Sequence, residues 1–342
     1  FAFVSIAWVE TSKFDISGTV YSDEVSTVID CSTLPLNISV YVDDEFAGGG
    51  WCTASDGTYT VSNVYAVLGD KTTAIEETIY IDGHTEKAAT FTRDDAVTNL
   101  TGIDLIQNRV ILRQDDSGPI TNSDIAHADS AEDSDLQFTV TSGALSVTSG
   151  SKLIVETGDT FTPGGNVTTD SLEVKGTFSP TSNTVTLNGV GTSSTCTDAP
   201  GTVMPFCING GTFNASTSTV NFIAVAATAT MIENTTYNVL QVDATSDSTA
   251  AVTFTLHGDT TVTSVLTIGN SGSTNTDILD GGVNTITLSG SGTPFDITSK
   301  GSFTPNFSTV NYTGSSGTTV LLTTYYNLGI YPGANSINHT LG

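Results

Sequence analysis

A twelve-residue phrase returns three times in the C-terminal half of the chain, and this repetition restricts the possible folds more than any other feature. Gly176-Thr177-Phe178 leads to Asn183-Thr184-Val185-Thr186-Leu187, Gly211-Thr212-Phe213 to Ser218-Thr219-Val220-Asn221-Phe222, and Gly301-Ser302-Phe303 to Ser308-Thr309-Val310-Asn311-Tyr312. A second phrase aligns Thr236-Tyr237-Asn238-Val239 with Tyr325-Tyr326-Asn327-Leu328, and a third aligns Thr255-Leu256-His257-Gly258 with Thr340-Leu341-Gly342. After Gly258 the earlier copy continues through Thr261 to Ile268, whereas the later copy stops. Stacked repeats bury their core only against neighbours. The pattern therefore predicts an open last repeat and a structural, assembling protein.

The residues around these phrases favour strands. Leu153-Ile154-Val155, Leu172-Glu173-Val174, Val185-Thr186-Leu187, Phe254-Thr255-Leu256, Leu266-Thr267-Ile268 and Ile286-Thr287-Leu288 each put two apolar residues on one face, and a Gly usually follows closely. Thr, Val, Ile, Tyr and Phe suit a pleated, half-buried surface, and no convincing helical period is present. The expected fold is all-β. Residues 141–342 read as a Thr/Gly-rich β-solenoid (parallel β-helix) whose last repeat is incomplete. A chain of small β-sandwiches is the alternative.

The first 140 residues divide differently. Residues 1–12 carry the apolar run Phe1 to Val9, with Phe1, Phe3 and Val9 on one strand face and Val4, Ile6 and Trp8 on the other. It is too short to cross a bilayer as a helix and demands burial as a strand. It serves either as the first strand of its own domain or as a donor strand for another copy. Residues 13–95 read as a β-sandwich, with strands at Ile16 to Val20, Leu36 to Val42, Thr58 to Val61, Ile79 to Ile81 and Ala88 to Thr92, and turns at Asp56-Gly57 and Asp82-Gly83. Residues 96–140 read as a junction holding a strand at Arg109 to Leu112 and an acidic loop.

Two resemblances follow from these residues. Ile16-Ser17-Gly18-Thr19-Val20, Ser39-Val40-Tyr41-Val42 and Asp56-Gly57-Thr58-Tyr59-Thr60-Val61 resemble the carboxypeptidase-regulatory-like, transthyretin-like β-sandwiches. That likeness implies a spacer or interaction module over about 80 residues, though the pair Cys31 and Cys52 departs from the family pattern. The repeats at Gly211 to Phe222 and Thr324 to Leu328, with Gln107-Asn108-Arg109-Val110 and Gly118 to Asn122, resemble tandem-repeat surface proteins of uncultured environmental bacteria. That likeness implies an extracellular or cell-surface location and a modular architecture.

Charge narrows the partners. The chain carries 36 Asp+Glu against 9 Lys+Arg, a formal net charge of -27. So few cations cannot hold a phosphate backbone through counterion release, which argues against nucleic acid and against anionic membranes. No long apolar segment predicts a membrane span. Cys31 with Cys52, and Cys196 with Cys207, read as two local disulfides of an oxidising compartment, in a mature chain whose export signal has been removed.

Candidate chemistry is sparse. Asp129, Glu132, Asp133 and Asp135 crowd carboxylates that a calcium ion would reconcile; no other cofactor is expected. Glu156 with Asp159, or Asp277 with Asp280, could serve a glycoside hydrolase, and His257 and His339 could stack. None of these sets stands above a solvated surface, and no catalytic residue is assigned. The leading expectation is a non-enzymatic subunit of an extracellular filament, sheath or surface layer, joined head to tail to copies of itself by β-strand addition through Phe1, Phe3, Val4, Ile6, Trp8 and Val9. An adhesin stalk that binds surface glycans or another cell is the alternative. A carbohydrate-active β-helix enzyme comes third.

Overall fold

The computed structural model describes residues 11–24, 27–67, 75–94, 98–128, 133–189, 204–223, 230–242, 251–272, 274–331 and 338–342. The run Phe1 to Val9 lies outside them. The chain is nearly all β and divides into two compact units, Phe1–Val140 and Thr141–Gly342.

The first unit contains β1 (Thr11–Tyr21), β2 (Leu36–Val42), β3 (Glu45–Cys52), β4 (Thr58–Val67), β5 (Ile75–Asp82), β6 (Ala89–Asp94), β7 (Leu105–Ile106), β8 (Arg109–Leu112) and α1 (Asn122–His127). One sheet runs β4-β1-β7, and within this unit the other runs β3-β2-β5-β6-β8. Residues of both sheets enter one core: Phe14, Ile16 and Val20 from β1, Ile38 and Val40 from β2, Val61 and Val64 from β4, where a register shift and the left-handed Asn63 reset the alternation, and Ile79 and Ile81 from β5. The Cys31–Cys52 bridge is buried at the edge of that core, with Cα atoms 5.6 Å apart. Closing a loop of this length restricts the unfolded chain by about 3 kcal/mol.

Residues 96–140 do more than join two parts. β7 pairs in parallel with β1, and β8 pairs in parallel with β6, so this segment completes both sheets. It also holds the helix that periodicity did not predict. Six residues are too few for a periodic signal, but the Thr121 hydroxyl accepts the Asp124 N–H while the Asp124 carboxylate accepts the Thr121 N–H. This reciprocal cap satisfies two of the free donors at a helix start. The strand β3 carries no clear signal in the sequence, because Gly48-Gly49-Gly50 lowers strand propensity.

In the second unit the strands stack in parallel. The longest ladder passes through Ala144–Val147, Val167–Thr169, Thr184–Leu187, Thr219–Phe222, Thr236–Val242 and Thr260–Ile268. In-register pairing lines up Leu145, Val167, Val185, Val220, Leu240 and Leu266 as one buried column. Thr260–Ile268 then has two successors: Thr285–Leu288 pairs with its first half and Phe295–Ile297 with its second. Thr309–Tyr312 and Asn327–Ile330 extend the first branch. A shorter ladder aligns Leu153, Leu172 and Phe206. Another stacks Phe161 on Phe178 and Phe178 on Phe213, with ring centroids 5.6 and 5.9 Å apart.

The repeated phrase is a strand–turn–strand corner. Its Gly sits where two backbones touch: a Cβ on Gly176 would meet the Glu156 carbonyl oxygen at 2.1 Å, and one on Gly301 would meet that of Ile268 at 2.1 Å. Its sixth residue is left-handed in all three copies, at φ 57° for Thr181, 47° for Ser216 and 43° for Asn306. The same turn hydrogen bond closes each copy, from Asn183 N–H to Pro180, from Ser218 N–H to Ala215 and from Ser308 N–H to Pro305. The second phrase needs a one-residue shift. Val239 pairs with Thr219 as Asn327 pairs with Thr309, and the Tyr237 and Tyr325 hydroxyls donate to the carbonyls of Glu233 and Leu321. Tyr237 therefore corresponds to Tyr325 and not to Tyr326, which is exposed.

Buried ionisable groups interrupt the apolar packing in each unit. Glu77 shares a strand face with Ile75, Ile79 and Ile81, faces Val42 and Thr92 across the sheet, and has a buried carboxyl oxygen without a hydrogen-bond partner. Burial, then the charges of Asp94, Asp43, Asp115 and Glu76, push its pKa well above the ordinary 4.5. The folded state thus keeps a proton that the unfolded state releases, and stability falls as pH rises above 4.5 toward the folded-state value, by about 1.4 kcal/mol per unit. Glu77→Gln is expected to remove this component. Denaturant titration from pH 4 to 7 should show the variant gaining on the parent as pH rises.

In the second unit the Lys152 ammonium meets the Glu173 carboxylate at 2.9 Å with both side chains almost fully buried, and the Asn209 amide donates to the other carboxylate oxygen at 2.8 Å. Lys152→Met would strand the buried carboxylate and is expected to cost about 3–5 kcal/mol. The double variant Lys152→Met/Glu173→Leu should recover most of that loss in the same unfolding measurement.

Candidate functional site

Strand ends of the first unit bring three carboxylates together. Asp82 ends β5, and Asp133 and Asp135 follow α1; one oxygen from each lies within 4.8 Å of the others. Asp133 and Asp135 were expected in a cation site, whereas Asp129 and Glu132 lie outside the described residues. Asp82 reads in the sequence only as part of a turn; the pairing of β5 with β2 sets it beside Asn37 and Ser39.

Protein donors already serve these oxygens. The Lys87 ammonium and the Gly83 N–H bind Asp135, and the Tyr80 hydroxyl donates to Asp133. The Ser39 hydroxyl and the Asn37 amide donate to Asp82 at 2.7 and 3.2 Å. Burial pushes the Asp135 pKa upward, but the Lys87 and Gly83 hydrogen bonds and the Lys87 charge hold it below the ordinary 3.8. Lys87 therefore supplies the positive charge that a divalent ion would have to displace.

The rest of the acidic segment is tied down in the same way. Arg93 reaches Asp116 at 2.8 Å, Asp124 at 3.0 Å and the Pro119 carbonyl at 3.0 Å. Arg113 holds Asp115 through two nitrogens, a planar fork that fixes orientation as well as charge. The carboxylates crowded in this stretch of sequence thus match scarce cations from β6 and from just beyond β8.

The other candidates do not converge. Asp277 and Asp280 occupy opposite faces of one strand, as period-2 alternation requires. Asp280 accepts from Gly282 N–H and the Asn306 amide, while Glu156 pairs with Lys175. His257 hydrogen-bonds Asn234 at 3.0 Å, whereas His339 belongs to a strand paired with Thr318–Val320 in a different sheet. Cys207 is disulfide-bonded, and its expected partner Cys196 lies outside the described residues.

A different kind of site forms at the last strands of the second unit. Among the described residues, Asn327–Ile330 pairs only with Thr309–Tyr312. Leu328 and Ile330 continue the buried column of Val310 and Tyr312, yet each is 42% exposed. Phe307, Leu322, Tyr326, Tyr331 and Leu341 are also exposed nearby in sequence, and Phe307 packs edge-on against Tyr326 at 5.1 Å. Residues 301–342 contain no Asp, Glu, Lys or Arg. Sequence patterning placed an open repeat here but did not single out these side chains, because Tyr-Tyr and Leu-Leu look like core positions until the register is known.

Asp135→Asn is expected to lower stability by roughly 0.5–1 kcal/mol at neutral pH, discounted for solvent exposure. Because the folded-state pKa is depressed, this contribution is present above pH 3.8 and disappears as pH falls through the folded-state value. Acid unfolding curves of parent and variant should therefore converge at low pH. Comparison with protein-family models, curated proteins and solved structures finds no match for this chain.

Proposed function

We propose that the chain is a structural subunit of an extracellular filament, sheath or surface layer. In this reading the second unit is a β-solenoid, the first unit is a sandwich-type spacer, and copies join head to tail by strand addition at Asn327–Ile330. The carrying observation is that edge itself. It combines one-sided pairing among the described residues, exposed Leu328 and Ile330, and a charge-free flank in a chain of net charge -27. An incoming strand would satisfy the edge N–H and C=O groups and cover the exposed columns. A charge-free surface is also where two acidic copies approach with the least repulsion.

The apolar run Phe1 to Val9 is the proposed incoming strand. Each Val, Ile or Phe it buries would contribute roughly 1.5–3 kcal/mol. The buried Cys31–Cys52 disulfide supports an oxidising, extracellular setting. No helix among the described residues is long and apolar enough to cross a membrane.

Negative-stain imaging and light scattering test the reading. The chain is expected to form regular filaments. A chain beginning at Ser12, and the double variant Leu328→Asp/Ile330→Asp, are expected to remain folded and monomeric. Isolated rods from the parent would favour the adhesin-stalk alternative, and filaments from the Ser12 chain would rule out the donor strand.

A further inference from the structure

The larger sheet of the first unit carries side chains on the face turned away from the core. On β2, Leu36, Ile38, Val40 and Val42 face the core, so Asn37, Ser39 and Tyr41 face outward. Cross-strand partners share a face. Trp51 opposite Asn37, Gly49 opposite Ser39 and Phe46 opposite Tyr41 therefore lie on that outer surface. Asp82 of β5 adjoins Asn37 in the same row.

Two large rings stand open there. Phe46 is 61% exposed and Trp51 is 60% exposed. Gly49 leaves room between them, and the Phe46 ring leans over it: a Cβ at Gly49 would lie 3.5 Å from Phe46 Cζ. Tyr41 meets Phe46 edge-on at 5.7 Å and steadies it. Beside the rings, the Asn37 amide and the Asp82 carboxylate are half-buried and hydrogen-bonded to each other at 3.2 Å. The result is a short aromatic strip with a fixed amide–carboxylate pair at one end.

We propose that this strip is a binding platform for a neutral polysaccharide. A sugar ring presents an apolar C–H face and a rim of hydroxyls. The faces of Trp51 and Phe46 match the first, and Asn37 and Asp82 match the second. Charge selects the class of glycan. β2 and β3 contain no Lys or Arg, and Asp43, Asp44 and Glu45 line the turn between them. A uronate polymer, a sulfated glycan or an anionic membrane would be repelled, whereas a neutral chain is not. Two exposed rings also fall far short of the roughly 1,000 Å² that a specific protein–protein interface requires, which separates this platform from the assembly edge of the second unit.

Affinity electrophoresis of the full chain against neutral polysaccharides (β-glucan, mannan, xylan) and anionic ones (polygalacturonate, dextran sulfate) tests the proposal. At least one neutral polymer is expected to retard the chain, and the anionic polymers are not. Trp51→Ala and Phe46→Ala are each expected to weaken retardation about tenfold or more while leaving the thermal midpoint and filament formation unchanged. Trp8 and Trp51 are the only tryptophans. In a Trp8→Phe background the Trp51 emission should therefore shift on titration with the bound polymer. Retention of full affinity by Trp51→Ala, binding to none of the neutral polymers, or retardation by the anionic polymers would overturn the proposal. Loss of filaments in Trp51→Ala with glycan binding intact would also overturn it, by assigning the strip to a protein contact. The platform does not depend on the assembly reading, since filaments without glycan binding and glycan binding without filaments are separate results.

Discussion

In-register parallel pairing is the constraint from which the second unit follows. Each strand hydrogen-bonds to the one before it, so an apolar residue in one strand fixes where the next must fall. Leu145, Val167, Val185, Val220, Leu240 and Leu266 form a column because the pairing stays in register through these residues, and the shift in the last ladder step lies ahead of them, between Tyr237 and Val239. A one-residue slip would turn these side chains outward and bring Thr inward. Gly176, Gly211 and Gly301 serve the same constraint, since any side chain there would force neighbouring backbones apart. At Thr260–Ile268 the constraint is relaxed in a controlled way, for one long strand templates two successors.

Charge is handled by pairing in both units. In the first, Lys87, Arg93, Arg109 and Arg113 each meet carboxylates, and the acidic stretch before Val140 supplies most of them. These contacts give order to a segment whose composition alone reads as a solvated loop. In the second unit, Lys152 and Glu173 are enclosed as a pair, where replacing one partner is far worse than replacing both. Both arrangements leave the net charge strongly negative and concentrate the few cations where they hold chain segments together.

Much of the strand content was legible in the sequence. Leu36–Val42 and Arg109–Leu112 follow from alternation and β-branched composition, and the repeated phrase marks a real corner. The left-handed turn inside that corner was not legible, because Thr181, Ser216 and Asn306 share a backbone conformation and not a residue type. The alignment of Tyr237 with Tyr326 followed letters, whereas hydrogen bonding selects Tyr325. The cluster around Asp135 was half visible: Asp133 and Asp135 are close in sequence, but Asp82, Lys87 and Tyr80 reach them only through the fold. The aromatic strip on β3 is not legible in the sequence for a related reason. Phe46 and Trp51 flank three glycines and share a face only once the register with β2 is fixed.

The neutral last strands have a consequence for how the molecule meets others in solution. Residues 141–300 carry all the Asp, Glu and Lys of the second unit, and residues 301–342 carry none. Along its ladder this unit is therefore electrically lopsided, with a field that weakens toward the Asn327–Ile330 edge. Another acidic molecule drifting past is turned away from the charged flank and resisted least at that edge. Orientation is thus biased before any contact forms, with a range that follows the screening length of the surrounding salt.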